Sequence, residues 1–179
     1  MAEKIHKARL EITELLYPLV CEYYRALSDD HERVELEYRS ELNNAPLEEL
    51  LLASREKDRI MGFTTSGVHR DDLRFSIGGY MLRKYGSQGQ QKSFLIALKL
   101  AQYRIIAQAC GEKPILLLDD LFDKLDESRV SRLIELVKGD EFGQVIITDC
   151  NGERMGSILG KADCSYKLFN VTYGEVVKE

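Results

Sequence analysis

The stretch Ile115-Leu116-Leu117-Leu118-Asp119-Asp120, opened by Pro114, decides the fold class. Four apolar residues in unbroken succession read as a short strand buried on both faces, as in a parallel sheet covered by helices. Two carboxylates follow where the carboxyl end of that strand should emerge. In open α/β sheets, ligands bind at that edge. Asp119 can hold the water shell of a nucleotide-bound magnesium ion, which takes few protein ligands and keeps several waters. Asp120 can polarise an attacking water. A strand that merely ends in a polar turn carries the same residues, so the run alone leaves both readings open.

Outward from this stretch, helix and buried strand alternate. Residues 92–110 read as a long helix with Phe94, Leu95, Leu98, Ala101, Ile105 and Ile106 turned inward, and Gly111 stands at the expected stop. A helix over 128–138 precedes a second apolar strand over 144–148. That order points to an α/β fold with a mostly parallel sheet. Upstream, Gly78-Gly79 between 73–77 and 80–83 signals a hairpin, and Val34-Glu35-Leu36-Glu37-Tyr38 alternates like a half-buried strand. Asn43-Asn44-Ala45-Pro46 turns into a helix over 47–60, with Leu47, Leu50, Leu51 and Ser54 along one side. The first helix carries Ile5, Ala8, Ile12, Leu15 and Leu19 on one face, and Pro18 should kink or break it. It reads as an amphipathic helix packed on a neighbour, or as one leg of a helical hairpin. Residues 165–177 read as a terminal hairpin turning near Thr172-Tyr173-Gly174.

Composition narrows the function classes. The chain has 179 residues, is 44% hydrophobic and 31% charged, and is globular in character. No apolar run approaches the roughly 20 residues of a membrane span. Glu3, Lys4, Lys7 and Arg9 precede the first leucine, unlike a secretory signal. Cys21, Cys110, Cys150 and Cys164 are far apart and form no CxxC pair, which suggests reduced thiols, a cytoplasmic setting and no zinc site. A net charge of −5 counts against a uniformly basic nucleic-acid binder, though not against a local basic surface. Arg70, Arg74, Arg83 and Lys84 make a modest basic group that a solvated hairpin face explains equally well.

Two further segments carry chemistry. Ser87-Gln88-Gly89-Gln90 stands before the long helix, where glycine lets a ligand approach the backbone and first-turn N–H groups point at an anion. An ordinary N-cap at Ser87 reads the same way. Leu125-Asp126-Glu127-Ser128 follows the double aspartate and is also consistent with a plain loop capped by Asp126 or Ser128.

Order and spacing join these pieces into one set. Tyr85-Gly86-Ser87-Gln88-Gly89-Gln90-Gln91, then the 114–120 strand, then Leu125-Asp126 resemble the signature motif, Walker B strand and D-loop of ABC-type ATPases. Gly67-Val68-His69-Arg70-Asp71-Asp72-Leu73 is similar to a stretch of the RecF family, and that family is the best match, loosely over the whole chain and closely over 55–149. The resemblance implies the carboxyl-terminal portion of an ABC-ATPase-like (P-loop NTPase) head over 55–179, preceded by a helical arm or lobe II segment over 1–54 with a strand near 34–39. It implies Asp119 as the magnesium-water ligand and Asp120 as the catalytic carboxylate. Ser87, Gln88, Gly89 and Gln90 would meet ATP held by the opposite subunit, and Leu125 and Asp126 would lie in the D-loop at a dimer interface. It further implies ATP and Mg2+ as cofactors, DNA gaps and junctions as substrate, and a second copy and recombination mediator proteins as partners. No membrane is implied.

Three departures qualify these expectations. No Gly-x-x-x-x-Gly-Lys-Ser/Thr occurs, so the sequence has no loop to cradle the α- and β-phosphates and should not hydrolyse ATP alone. The reading is therefore of a truncated ATPase half, with a non-enzymatic ABC-fold interaction module as the alternative and an SMC-like head as a third. The strand over 144–148 ends in Thr148-Asp149 where many ABC proteins have a switch histidine, which makes Thr148 the switch candidate. Val68 replaces the family's usual proline, and His69 and Arg70 then read as a satisfied turn histidine and a surface ion pair.

Overall fold

The computed structural model describes residues 1–28, 32–119, 125–162 and 164–178. Helix α1 (Ala2–Leu27) is followed by strand β1 (Val34–Arg39), helix α2 (Leu47–Met61), and strands β2 (Asp72–Ile77) and β3 (Tyr80–Met81). Helices α3 (Leu82–Tyr85) and α4 (Gln88–Cys110), strand β4 (Leu116–Leu118), helix α5 (Glu127–Val137) and strand β5 (Val145–Ile147) come next. Helix α6 (Gly152–Lys161) and strands β6 (Phe169–Thr172) and β7 (Glu175–Lys178) close the order.

The described strands form an antiparallel sheet ordered β1-β2-β3, a parallel pair β4-β5 and an antiparallel hairpin β6-β7. The parallel pairing expected from the two apolar runs is present, with Leu116 opposite Val145 and Leu118 opposite Ile147. Tyr103 of α4 fixes the entry to this pair: its hydroxyl donates to Pro114 O at 3.0 Å and accepts from Gly143 N–H at 2.9 Å.

One core joins α1, β1, β2, α3, α4, β4, α5 and α6. Val20, Tyr23, Tyr24 and Leu27 of α1 pack on Phe94, Ile96, Ala97 and Leu100 of α4, while Val130, Leu133 and Ile134 of α5 meet Met155 and Ile158 of α6. Pro18 does not break α1. A proline inside a helix costs about 3 kcal/mol, and the four buried side chains beyond it, at roughly 1.5–3 kcal/mol each, hold the helix continuous.

Several expectations need correction. The inward face of α4 is Phe94, Ile96, Ala97, Leu100, Ala101 and Tyr103, whereas Leu95 and Ile106 are exposed. The helix also starts earlier, at Gln88, because Ser87 caps it, and it stops as expected at Gly111 with φ 71°, a conformation glycine adopts without strain. The second strand after Gly78-Gly79 is only Tyr80–Met81, and the chain then turns into α3. On α2 only Ser54 is buried, and Leu51 and Leu52 face out. Helix α6 has no counterpart in the sequence reading; Gly156 and Gly160 dilute its pattern, and Asn151 starts it by accepting from Arg154 N–H at 3.0 Å.

The largest departure concerns β4. Leu116 and Leu118 are 7% and 2% exposed, but Ile115 and Leu117 are 58% and 67% exposed. Ile146 on the paired strand is exposed as well. The strand is buried on one face only, and the other face of the parallel pair presents bare aliphatic side chains.

Candidate nucleotide-facing site

The parallel register carries Asp119 and Thr148 to neighbouring positions one step past the carboxyl ends of β4 and β5. Thr148 N–H donates to Leu118 O at 3.0 Å, extending the ladder, and the Thr148 hydroxyl donates to Asp119 Oδ1. Asp119 is exposed, and one of its oxygens is thus oriented by the threonine. An exposed carboxylate with a second oxygen facing away from that bond suits a water of a hydrated magnesium ion. Asp120 lies outside the described residues.

The segment around Ser87 is built as a reciprocal cap. Ser87 Oγ accepts from Gln90 N–H at 3.2 Å, and Gln90 Oε1 accepts from Ser87 N–H at 2.7 Å. The N-cap reading of Ser87 is therefore correct as local structure, and it places Gln88 and Gly89 in the first helical turn. The remaining amide of Gln90 is also committed: Nε2 donates to Glu32 Oε1 at 2.6 Å, while the Tyr24 hydroxyl donates to Glu32 Oε2. Burial, together with this bond to a carboxylate, pushes the Tyr24 phenol well above its ordinary range. Glu32, which nothing in the sequence singled out, thereby fixes which way the Gln90 amide points and ties the turn to α1. A cleft of about 300 Å³ lined by Glu32, Arg33, Tyr80, Tyr85 and Gln90 opens beside it.

Asp126 is the N-cap of α5, its Oδ1 accepting from Arg129 N–H at 2.9 Å. Leu125 is buried, and its carbonyl accepts from Arg154 Nη2 at 2.8 Å, which fastens this loop to α6. The structure brings Asp119 together with Thr148, and the Ser87–Gln90 turn together with the start of α5 through Arg129. These are two separate groups with different partners.

The Gly67–Leu73 stretch is structural at its centre. His69 Nε2 pairs with Thr64 O at 3.0 Å, as expected of a turn histidine. Asp71, rather than Arg70, forms the ion pair: its side chain is 3% exposed and Oδ2 lies 2.8 Å from Arg9 Nη1 and 2.5 Å from the Tyr38 hydroxyl. Burial works to raise the Asp71 pKa, but the bonds from Tyr38, Ser40 and Arg9 outweigh it and hold the carboxyl below its usual value. A buried acid anchoring α1 to β1 has no sequence signal beyond its place in the motif. The basic group splits up, with Arg74 on β2 opposite Glu37, and Arg83 and Lys84 on α3.

All four cysteines are free. Among the described residues, no group of His, Cys, Asp and Glu could hold a metal ion by itself, and no helix is long and apolar enough to cross a membrane.

Comparison with known proteins places this geometry. No family model matches the chain. A DNA replication and repair protein RecF from Azobacteroides pseudotrichonymphae is 48% identical over 97% of the chain, and one from Porphyromonas gingivalis is 46% identical over 98%. The chain spans about half the length of the curated relatives it matches, 48% in both cases, and corresponds to their carboxyl-terminal half. A solved structure of the recombination mediator protein RecF-ATP in the RecFOR pathway superposes with a TM-score of 0.71 at 28% identity, covering 99% of this chain and 47% of that one. A structure from work on ATP-driven dimerisation of SMC ATPases shares the fold alone, with a TM-score of 0.59 at 15% identity over 97% of this chain and 88% of that one.

Proposed function

This chain belongs to the RecF family, and we propose that it forms the half of a RecF-type DNA replication and repair ATPase that lacks the P-loop and completes the nucleotide site. The observation that carries the reading is the Asp119–Thr148 pair at the carboxyl edge of the parallel strands, where α/β folds bind ligands. The bare aliphatic face of the same strands supports it, because a P-loop half would add strands and helices there.

In this reading residues 1–54 supply the helical arm or lobe II segment, and residues 55–179 supply the head portion. The boundary between them falls within α2, and the two segments also meet through α1 on α4 and β1 on β2. Asp119 would hold a water of a bound magnesium ion, and Thr148, which donates to Asp119, is the residue that would sense the γ-phosphate. Bound magnesium would neutralise charge on the β- and γ-phosphates. Asp120 is the carboxylate assigned to the attacking water. Ser87, Gln88, Gly89 and Gln90 offer a hydroxyl and first-turn N–H groups to ATP held by a second copy, and Leu125 and Asp126 line the interface between copies. ATP bonded to both copies holds the dimer closed, and hydrolysis releases it. DNA gaps and junctions are the substrate, recombination mediator proteins are the partners, and loading of recombinase is the output.

The test is a calorimetric titration with Mg-ATP of the chain alone and after a RecF-type P-loop half has been added. Silence alone followed by binding after mixing is the expected result. Tight binding by the chain alone would overturn the reading, and silence in both would favour an interaction module that uses no nucleotide.

A further inference from the structure

Arg129 is absent from the set of residues that the motif reading selects, yet it sits between two members of that set. Its guanidinium fills the space that a Cβ on Gly89 would need, and Ser87 Oγ lies 4.0 Å from the same point. Asp126 holds the arginine twice, through Oδ1 on its backbone N–H at 2.9 Å and through Oδ2 at 3.7 Å from Nε. The Arg129 side chain is only 21% exposed, against 58% for Asp126. One residue thus bears on the Ser87–Gln90 turn on one side and on the D-loop on the other. Arginine suits this place because its flat guanidinium can lie on a bare backbone while keeping a donor for a carboxylate; a lysine ammonium is a point charge on a flexible stem.

We propose that Arg129 is a positioning residue that locks the signature turn to the D-loop, and that residue 89 is glycine because it seats Arg129. The inference rests on the reading above, in which both elements face ATP held by a second copy. It differs from the usual account of such a glycine, that it lets phosphate approach the backbone. The two accounts separate in a double-mutant cycle. If Gly89 serves Arg129, adding a methyl there and removing the guanidinium disturb one contact, and the double variant is no worse than either single. If Gly89 serves the phosphate directly, the losses multiply.

The experiment compares Gly89→Ala, Arg129→Ala, the double variant and Arg129→Lys, each assembled with a RecF-type P-loop half. Light scattering reads ATP-driven dimerisation, and calorimetry reads ATP affinity in the undimerised protein. Each single variant should raise the ATP needed for half-maximal dimerisation about tenfold, within the range of contacting pairs, with affinity unchanged. The double should match the singles, and Arg129→Lys should fail to restore wild-type behaviour. Multiplying losses, or a silent Arg129→Ala beside a Ser87→Arg variant that no longer dimerises, would overturn the inference and leave the underlying reading intact. Absence of any ATP-driven dimer in the wild type would instead sink that reading. Even then, the cycle repeated on urea unfolding of the chain decides the seat, because the helix propensity of alanine over glycine cancels within it. Coupled singles support the seat, and additive ones overturn it.

Discussion

Truncating Leu117 to alanine should do little to this chain by itself and much to its association with a P-loop half. Fully burying a leucine side chain is worth roughly 1.5–3 kcal/mol, and Leu117 is 67% exposed, so only about a third of that is realised in the chain alone. Leu117→Ala should therefore lower its stability by about 0.5–1 kcal/mol. Once a covering half buries the face, the same truncation falls among buried leucine substitutions that cost about 2–5 kcal/mol. The difference, at least about 1 kcal/mol, should weaken association roughly fivefold or more. The neighbouring Leu116 provides the control: it is 7% exposed, so Leu116→Ala should cost the chain alone about 2–5 kcal/mol. Urea unfolding of the two variants, with calorimetric titration of Leu117→Ala by the P-loop half, gives both quantities. A Leu117→Ala dissociation constant within twofold of wild type would show that this face is not where the other half docks. A loss of stability in the chain alone as large as that of Leu116→Ala would show that the face is already covered.

Two further outcomes follow from other groups. Asp71 has its folded-state pKa held below the ordinary 3.8, so its stabilising contribution is complete above that pH and is lost as pH falls through the depressed value. Asp71→Asn should flatten the acid limb of the stability profile below about pH 4 and lower the plateau above it; an unchanged acid limb in urea midpoints against pH would refute the assignment. Thr148→Val keeps the shape of the side chain but removes the hydroxyl that donates to exposed Asp119. It should slow hydrolysis by the assembled ATPase about tenfold while leaving ATP affinity unchanged, and a loss confined to affinity would contradict the orienting role.

The sequence was most legible where one physical pattern had few solutions. A glycine after a long helix and two apolar runs separated by a helix each specify local geometry, and the stop of α4 and the β4–β5 pairing follow, whereas the start of α4 lies four residues earlier than its apolar pattern suggests. What could not be read was which side of an apolar run would find a partner. Ile115 to Leu118 look alike in sequence, but burial alternates along them, because a parallel strand needs two covering layers and the described residues supply one. The inward face of α4 was misjudged for a related reason: with apolar residues around most of its circumference, tertiary packing rather than periodicity chose Ile96, Leu100 and Tyr103 over Leu95 and Ile106. Glu32 and Arg129 were invisible, and Asp71 was marked only by its place in the Gly67–Leu73 stretch, because isolated charged residues signal nothing until the fold puts a partner within reach.

The placement of these charged residues bears on how nucleotide could control assembly. The Ser87–Gln90 turn is gripped by Glu32 and Tyr24 on the α1 side and by Arg129 on the α5 side, and Asp119 is oriented by Thr148 across the strand pair. The elements that carry these grips are anchored in the core of this chain, through Tyr24 of α1, Phe94 of α4, Leu118 of β4 and Val130 of α5. On the function proposed above, the elements that would face ATP are therefore preorganised, and little ordering free energy should be needed when ATP binds. The large unfilled term is the aliphatic face of β4 and β5, which lies on the same two strands that carry Asp119 and Thr148. Docking of a P-loop half on that face would set the strand ends directly, so the hydrophobic association and the phosphate chemistry share one rigid element. Nucleotide contacts then need only bring two completed heads together, a smaller task than building the site.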